Sequence, residues 1–229
     1  MANAPYYRNF ISRPRISIDA AAFGFIVGLV ASLVALPGFG SQTGQALAAQ
    51  PGSYDSAFGF GKQSLGLSAG YGLALPVGGS KSPELEDIEF VYVTPRWGVG
   101  ISDPLGESWY QGNFELLLEG TFLYMLEPKS GIAGGLAPVF RYNFLTGTRI
   151  IPFLQAGAGV IALDADLRRQ ADGLNFILQS GLGLHVFFSP STAVTGEWRF
   201  HHISNAGIHD RNAGINSSLF MIGVTFFLK

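Results

Sequence analysis

The chain has 229 residues, 48% hydrophobic and only 13% charged, with 31 glycines, no cysteine and a formal net charge of −2. Without cysteine there can be no disulfide scaffold, thiolate metal site or cysteine nucleophile, and without a basic run there is no phosphate neutralisation of the kind nucleic-acid binding depends on. So much apolar composition with so little charge excludes a disordered chain, departs from soluble domains, whose charged fraction is about 25%, and points to a membrane.

The N-terminus reads as a secretory leader. Arg8, Arg13 and Arg15 precede an apolar stretch from Ala20 to Leu36, followed by Pro37-Gly38 and then Ala46-Leu47-Ala48. This is the positive, apolar and small-residue order that a signal peptidase recognises. The rival reading is an uncleaved helical anchor. The stretch sits at the lower edge of what spans about 30 Å of hydrocarbon, and Gly24 and Gly28 weaken it as a helix. A signal peptide over residues 1–48 is therefore expected, with the domain proper over 49–229. No later stretch is long and apolar enough to be a spanning helix.

Beyond the leader the pattern changes to alternation. Eight segments carry it: Ser64–Leu75, Ile88–Ile101, Gln111–Leu126, Ile132–Phe144, Ile150–Leu163, Asn175–Phe188, Thr192–Ser204 and Ser217–Leu228. In the third, Phe114, Leu116, Leu118, Phe122 and Tyr124 share one parity, while Asn113, Glu115 and Glu119 share the other. In the sixth, Phe176, Leu178, Leu182, Leu184 and Val186 oppose Gln179, Gly181, Gly183 and His185. Successive strand side chains point to opposite faces, so each segment is a strand with one apolar and one polar side. The breaks, at Gly78-Gly79-Ser80, Asp103-Pro104-Leu105-Gly106, Pro128-Lys129-Ser130-Gly131, Leu145-Thr146-Gly147, Ala171-Asp172-Gly173 and Ser189-Pro190-Ser191, hold the residues that turns require.

Long strands in even number, with an apolar outer face and charge and glycine on the inner one, predict an all-β fold: an eight-stranded antiparallel transmembrane β-barrel in a bacterial outer membrane. A soluble barrel such as a lipocalin would invert the two faces. Glu115, Glu119, Arg141 and Arg199 are expected to pair inside, because buried charges need partners. The Gly157-Ala158-Gly159 run is strand glycine with no helix after it to bind phosphate.

The seventh segment carries the candidate chemistry. Thr195, Glu197, Arg199 and His201 share the interior parity, and Trp198, Phe200, His202 and Ser204 the lipid-facing one. A His and a Ser two apart on one strand face supply a base and a hydroxyl nucleophile, and their cost on a lipid face argues for function. With both termini periplasmic, this strand ends outside, at the level of the outer leaflet. His201 and His185 are expected in interior polar networks and His209 in a solvated loop. His201, His202 and His209 do not form a metal site, since adjacent strand residues point oppositely. Glu84, Glu86, Asp87 and Glu89 read as a solvated loop.

The stretch His202-Ile203-Ser204-Asn205-Ala206-Gly207-Ile208, followed by Asn212-Ala213-Gly214-Ile215-Asn216, resembles the signature of PagL-type lipid A 3-O-deacylases, eight-stranded outer-membrane esterases with an HxSN motif on a lipid-facing strand. Val93-Thr94-Pro95-Arg96-Trp97 is similar to their second strand. The resemblance implies hydrolysis of the 3-O-linked acyl ester of lipid A, part of lipopolysaccharide, with Ser204 as nucleophile and His202 as general base. It makes Asn205 and Asn212 candidates for substrate orientation or the oxyanion. One departure is evident: Asn216 stands where the family pattern has a glutamate that orients the histidine, and Asp210 is an alternative. No cofactor or metal is implied, and a homodimer stays open. Two other readings remain: a phospholipase-like esterase, and a non-enzymatic barrel that is structural, adhesive or a small pore.

Overall fold

The computed structural model describes residues 54–75, 85 and 87–228. The signal peptide expected over residues 1–48 and the turn at Gly78-Gly79-Ser80 lie outside the described residues.

The alternating segments form eight strands: β1 (Gln63–Ala74), β2 (Glu89–Gly100), β3 (Gly112–Glu127), β4 (Gly131–Phe144), β5 (Ile150–Asp164), β6 (Gly173–Ser189), β7 (Thr192–Ser204) and β8 (Ile215–Phe227). Each pairs antiparallel with its sequence neighbour, and β1 also pairs with β8, closing the barrel. Closure leaves none of the described strands with an unpaired edge, which is the condition for a sheet to cross hydrocarbon. Phe114, Leu118, Phe122, Leu136, Phe140, Leu154, Leu178, Leu182 and Phe220 are exposed on the outside. The chain is a closed eight-stranded antiparallel barrel, as the alternation predicts. Strand ends fall within two residues of expectation. One difference bears on the site: β8 starts at Ile215, paired with Ile203, and so takes Asn216 into the strand.

The interior is layered. At mid-height, charges cross-link distant strands: Arg199 grips Glu119 through two contacts (Nη1–Oε2 2.6 Å, Nη2–Oε1 2.7 Å) and also reaches Glu197 Oε2 at 2.8 Å. Arg96 donates to the other Glu197 oxygen at 2.5 Å. Gln155 donates to Glu197 Oε2 at 2.6 Å, and Arg141 pairs with Glu115 at 3.6 Å. The expected pairing of Glu115, Glu119, Arg141 and Arg199 is thus present, enlarged by Arg96 and Glu197. His185 joins it through Nε2, 3.5 Å from Arg141 Nη1, and bonds Thr195 Oγ1 through Nδ1 at 2.8 Å. His201 does not. It is fully buried, neither ring nitrogen has a hydrogen-bond partner among the described residues, and the ring lies against Tyr92 and Phe90. One position above the charges the lumen is lined by apolar and aromatic side chains from other strands, which a reading of β7 alone does not reveal.

Apolar clusters close both ends. Phe90, Leu123, Met125, Ile161, Ile177, Ile203 and Ile215 fill the end at which β7 finishes. At the other end Tyr54 and Phe58, preceding β1, pack on Phe187 and Phe227, with Phe58 and Phe227 rings 5.0 Å apart.

Candidate active site

Strand pairing decides what surrounds His202. Its register partners are Leu178 on β6 and Asn216 on β8, and Ser204 faces Phe176. The inward neighbours His201 and Ile203 are buried, so His202 and Ser204 face outward and are half-buried. Asn216 lies directly opposite on the same outer face, and His202 Nδ1 is 2.7 Å from Asn216 Oδ1. A carboxamide oxygen only accepts, so Nδ1 carries a proton, and in the neutral ring the lone pair is then on Nε2. The ring is thereby held in the tautomer a general base needs. Among the described residues no hydrogen bond joins His202 to Ser204. The two are consecutive outward residues of one strand, and hydrogen bonds between catalytic groups are often long before substrate binds.

The 205–214 loop frames this pair. Asn205 is fully buried and turned into the loop: its Oδ1 accepts from Gly207 N at 3.0 Å, its Nδ2 donates to Arg211 O at 3.0 Å, and its own N–H donates to Asn212 Oδ1 at 2.8 Å. Ala206 and Gly207 both have positive φ (53° and 82°), making a tight reversal closed by Ile208 N to Asn205 O at 3.0 Å. Asn212 is half-buried, and no hydrogen bond among the described residues occupies its Nδ2. Asp210 is exposed on the loop and makes no hydrogen bond to His202 among the described residues, so Asn216, not Asp210, touches the ring. His209 is exposed, as expected for a loop residue.

Gly214 is a site residue that the sequence reading does not single out. It has φ +76°, and a Cβ placed there would come 2.9 Å from His202 Cε1. Its backbone therefore lies against the edge of the imidazole. Gly214 lies within the Asn212–Asn216 stretch that bears the family resemblance, which gives the glycine itself no role.

Below the polar pair the outer face turns apolar. Phe176 and Leu178 flank it on β6, and Phe200 and Trp198 continue down β7, with Trp198 Nε1 donating to Ser218 Oγ at 2.6 Å. An imidazole with a fixed tautomer, a neighbouring hydroxyl and a hydrocarbon wall suit an ester whose acyl chain lies in the membrane. Among the described residues, no group of three or more His, Asp or Glu side chains is placed to hold a metal ion.

A family model described as lipid A 3-O-deacylase (PagL) matches residues 88–225, more than half of the chain and all of β7. Comparison with curated proteins gives no match. Among solved structures, the outer membrane enzyme PagL is similar at 22% identity and a TM-score of 0.49, covering 71% of this chain and 98% of that one. Neisserial surface protein A is similar at 14% identity and a TM-score of 0.46, covering 72% and 96%. The N-terminal β-barrel domain of Pseudomonas aeruginosa OprF is similar at 14% identity and 0.42, covering 73% and 99%.

Proposed function

The chain belongs to the lipid A 3-O-deacylase family, and on that premise we propose that it removes the 3-O-linked acyl chain of lipid A in the outer membrane, with Ser204 as nucleophile, His202 as general base and Asn216 as the residue that orients the imidazole. The observation that carries the proposal is the 2.7 Å contact of His202 Nδ1 with Asn216 Oδ1, beside Ser204 on the outward face.

Ser204 Oγ attacks the ester carbonyl as its proton passes to His202 Nε2. The tetrahedral intermediate collapses, the C–O bond to the sugar breaks, and the imidazolium returns the proton to the leaving sugar hydroxyl. Water, deprotonated in turn by His202, then releases the fatty acid from Ser204. Asn212 supplies a carboxamide donor for the developing oxyanion, a contribution of about 10²–10³ in rate for one donor. Asn205, whose carboxamide is engaged at both ends, holds the loop that presents Asn212. With both termini periplasmic, β7 runs outward and the pair sits at the outer leaflet, where lipopolysaccharide is.

Mass spectrometry of lipid A tests this. Cells lacking the protein are compared with cells expressing wild type, Ser204→Ala or His202→Ala at equal levels of folded barrel. Loss of one acyl mass with wild type and with neither variant is the expected result. Unchanged lipid A in every sample, with the barrel folded in the outer membrane, refutes the lipid A reading; phospholipid analysis of the same cells then tests the phospholipase-like alternative.

A further inference from the structure

We infer that Gln170, in the loop between β5 and β6, is a positioning residue for the His202 centre and acts through Gly214; the inference rests on the roles proposed above for His202 and Asn216. Gln170 is completely buried, although its neighbours Arg168 and Arg169 are exposed. A buried carboxamide must find partners for both ends, and this one finds them across the barrel rim. Its Oε1 accepts the Gly214 N–H at 2.9 Å, and its Nε2 donates to Asn175 Oδ1 at 2.7 Å, with a longer 3.5 Å approach to Asn212 Oδ1.

The far end of this chain is anchored. Asn175 is fully buried on β6 and donates to Ala171 O and Gly173 O, both at 3.1 Å. Backbone bonds on either side of Gln170 pin the two loops together: Ala171 N to Arg211 O at 2.9 Å and Ala213 N to Arg169 O at 3.0 Å, around a bridge between Gln170 and Asn212.

The near end meets the catalytic ring. Gly214 is in the left-handed region, which only glycine adopts without strain, and its Cα faces His202 with no room for a methyl group. Gln170 fixes where the Gly214 backbone sits, and that backbone limits how far the imidazole can turn away from Asn216. Gln170 belongs to a different hairpin from His202, so the β5–β6 loop takes part in setting the base.

The test uses the full chain folded in micelles, with folding verified by the heat-dependent gel mobility of the barrel. Gln170→Met keeps the volume and removes both hydrogen bonds; Gly214→Ala perturbs the same contact from its other end and serves if Gln170→Met does not fold. Deacylation kinetics are read beside the nitrogen-bound imidazole proton of His202, assigned by comparison with His202→Ala. Misplacing a catalytic group by about 1 Å costs on the order of 10²-fold, so kcat should fall about that far with KM within twofold, and the proton bonded to Asn216 should broaden or shift. A folded variant whose His202 resonance is unchanged overturns the inference, whatever its kcat. If wild type shows no deacylation, the proposed function fails, and the resonance alone still decides the role of Gln170.

Discussion

At the residue scale the unusual choice is asparagine at position 216. Directly across from His202, it accepts the Nδ1 proton through Oδ1, so it fixes the tautomer as the acid of a catalytic triad does. Being neutral, it does not add the charge that stabilises an imidazolium. The two contributions can be separated by substitution. Asn216→Leu, of similar size but with no acceptor, frees the ring to adopt the wrong tautomer, and kcat should drop on the order of 10²-fold or more with KM nearly unchanged. Asn216→Glu keeps an acceptor and adds a full charge, so kcat should be retained or raised. Steady-state deacylation with detergent-dispersed lipid A measures both. Loss of activity in Asn216→Glu equal to that in Asn216→Leu would remove Asn216 from the orienting role.

At the element scale, strand alternation was legible because lipid outside and charge inside impose a period of two on every strand, and parity alone assigned Glu119, Arg199, His202 and Ser204 to the correct faces. The start of β8 was not. Asn216 points outward at a position where the membrane favours an apolar side chain, so it looked like loop; the residue that breaks the pattern is the one the proposed site uses. Gln170 and Gly214 were hidden for another reason: their contact joins two loops far apart in sequence, and loops carry no periodic signal. The same non-locality misled the reading of His201, whose neighbours Tyr92 and Phe90 come from β2.

The short segment before β1 carries a prediction of its own. Asp55 is partly buried and accepts the Gly147 N–H at 3.0 Å; loss of hydration raises its pKa from the ordinary aspartate value, and the Gly147 bond offsets only part of that. An acid whose folded-state pKa is raised binds its proton more tightly when folded, so folding is favoured below the unfolded value near 3.8 and weakened as pH climbs through the folded one. Asp55→Asn keeps an acceptor and does not ionise. Its urea midpoint should match wild type in acid and exceed it at neutral pH, and equal midpoints at both pH values would refute the assignment.

At the scale of the molecule, the question is what holds a barrel whose lumen contains this many charges. Arg96 comes from β2, Glu119 from β3, Gln155 from β5, and Glu197 and Arg199 from β7, so the network ties opposite walls together across the lumen. Each ion has lost its water, and the pairing compensates only while every partner is present. Arg199→Met should therefore leave Glu119 and Glu197 short of a cation and lower the unfolding free energy by roughly 3–5 kcal/mol. Adding Glu119→Gln to it removes one of the stranded charges. The double variant should be less destabilised than the sum of the two single changes, because the sites share one network. Urea unfolding of the micelle-bound barrel, followed by tryptophan fluorescence, measures all three. Strict additivity would show that Glu119 and Arg199 contribute separately. The proposed His202 centre is on the opposite face of β7 and, among the described residues, shares no hydrogen bond with these charges, so the folded fraction of Arg199→Met should deacylate at the wild-type rate. Loss of rate in that fraction would instead show that the charged centre shapes the site through the strand that carries both.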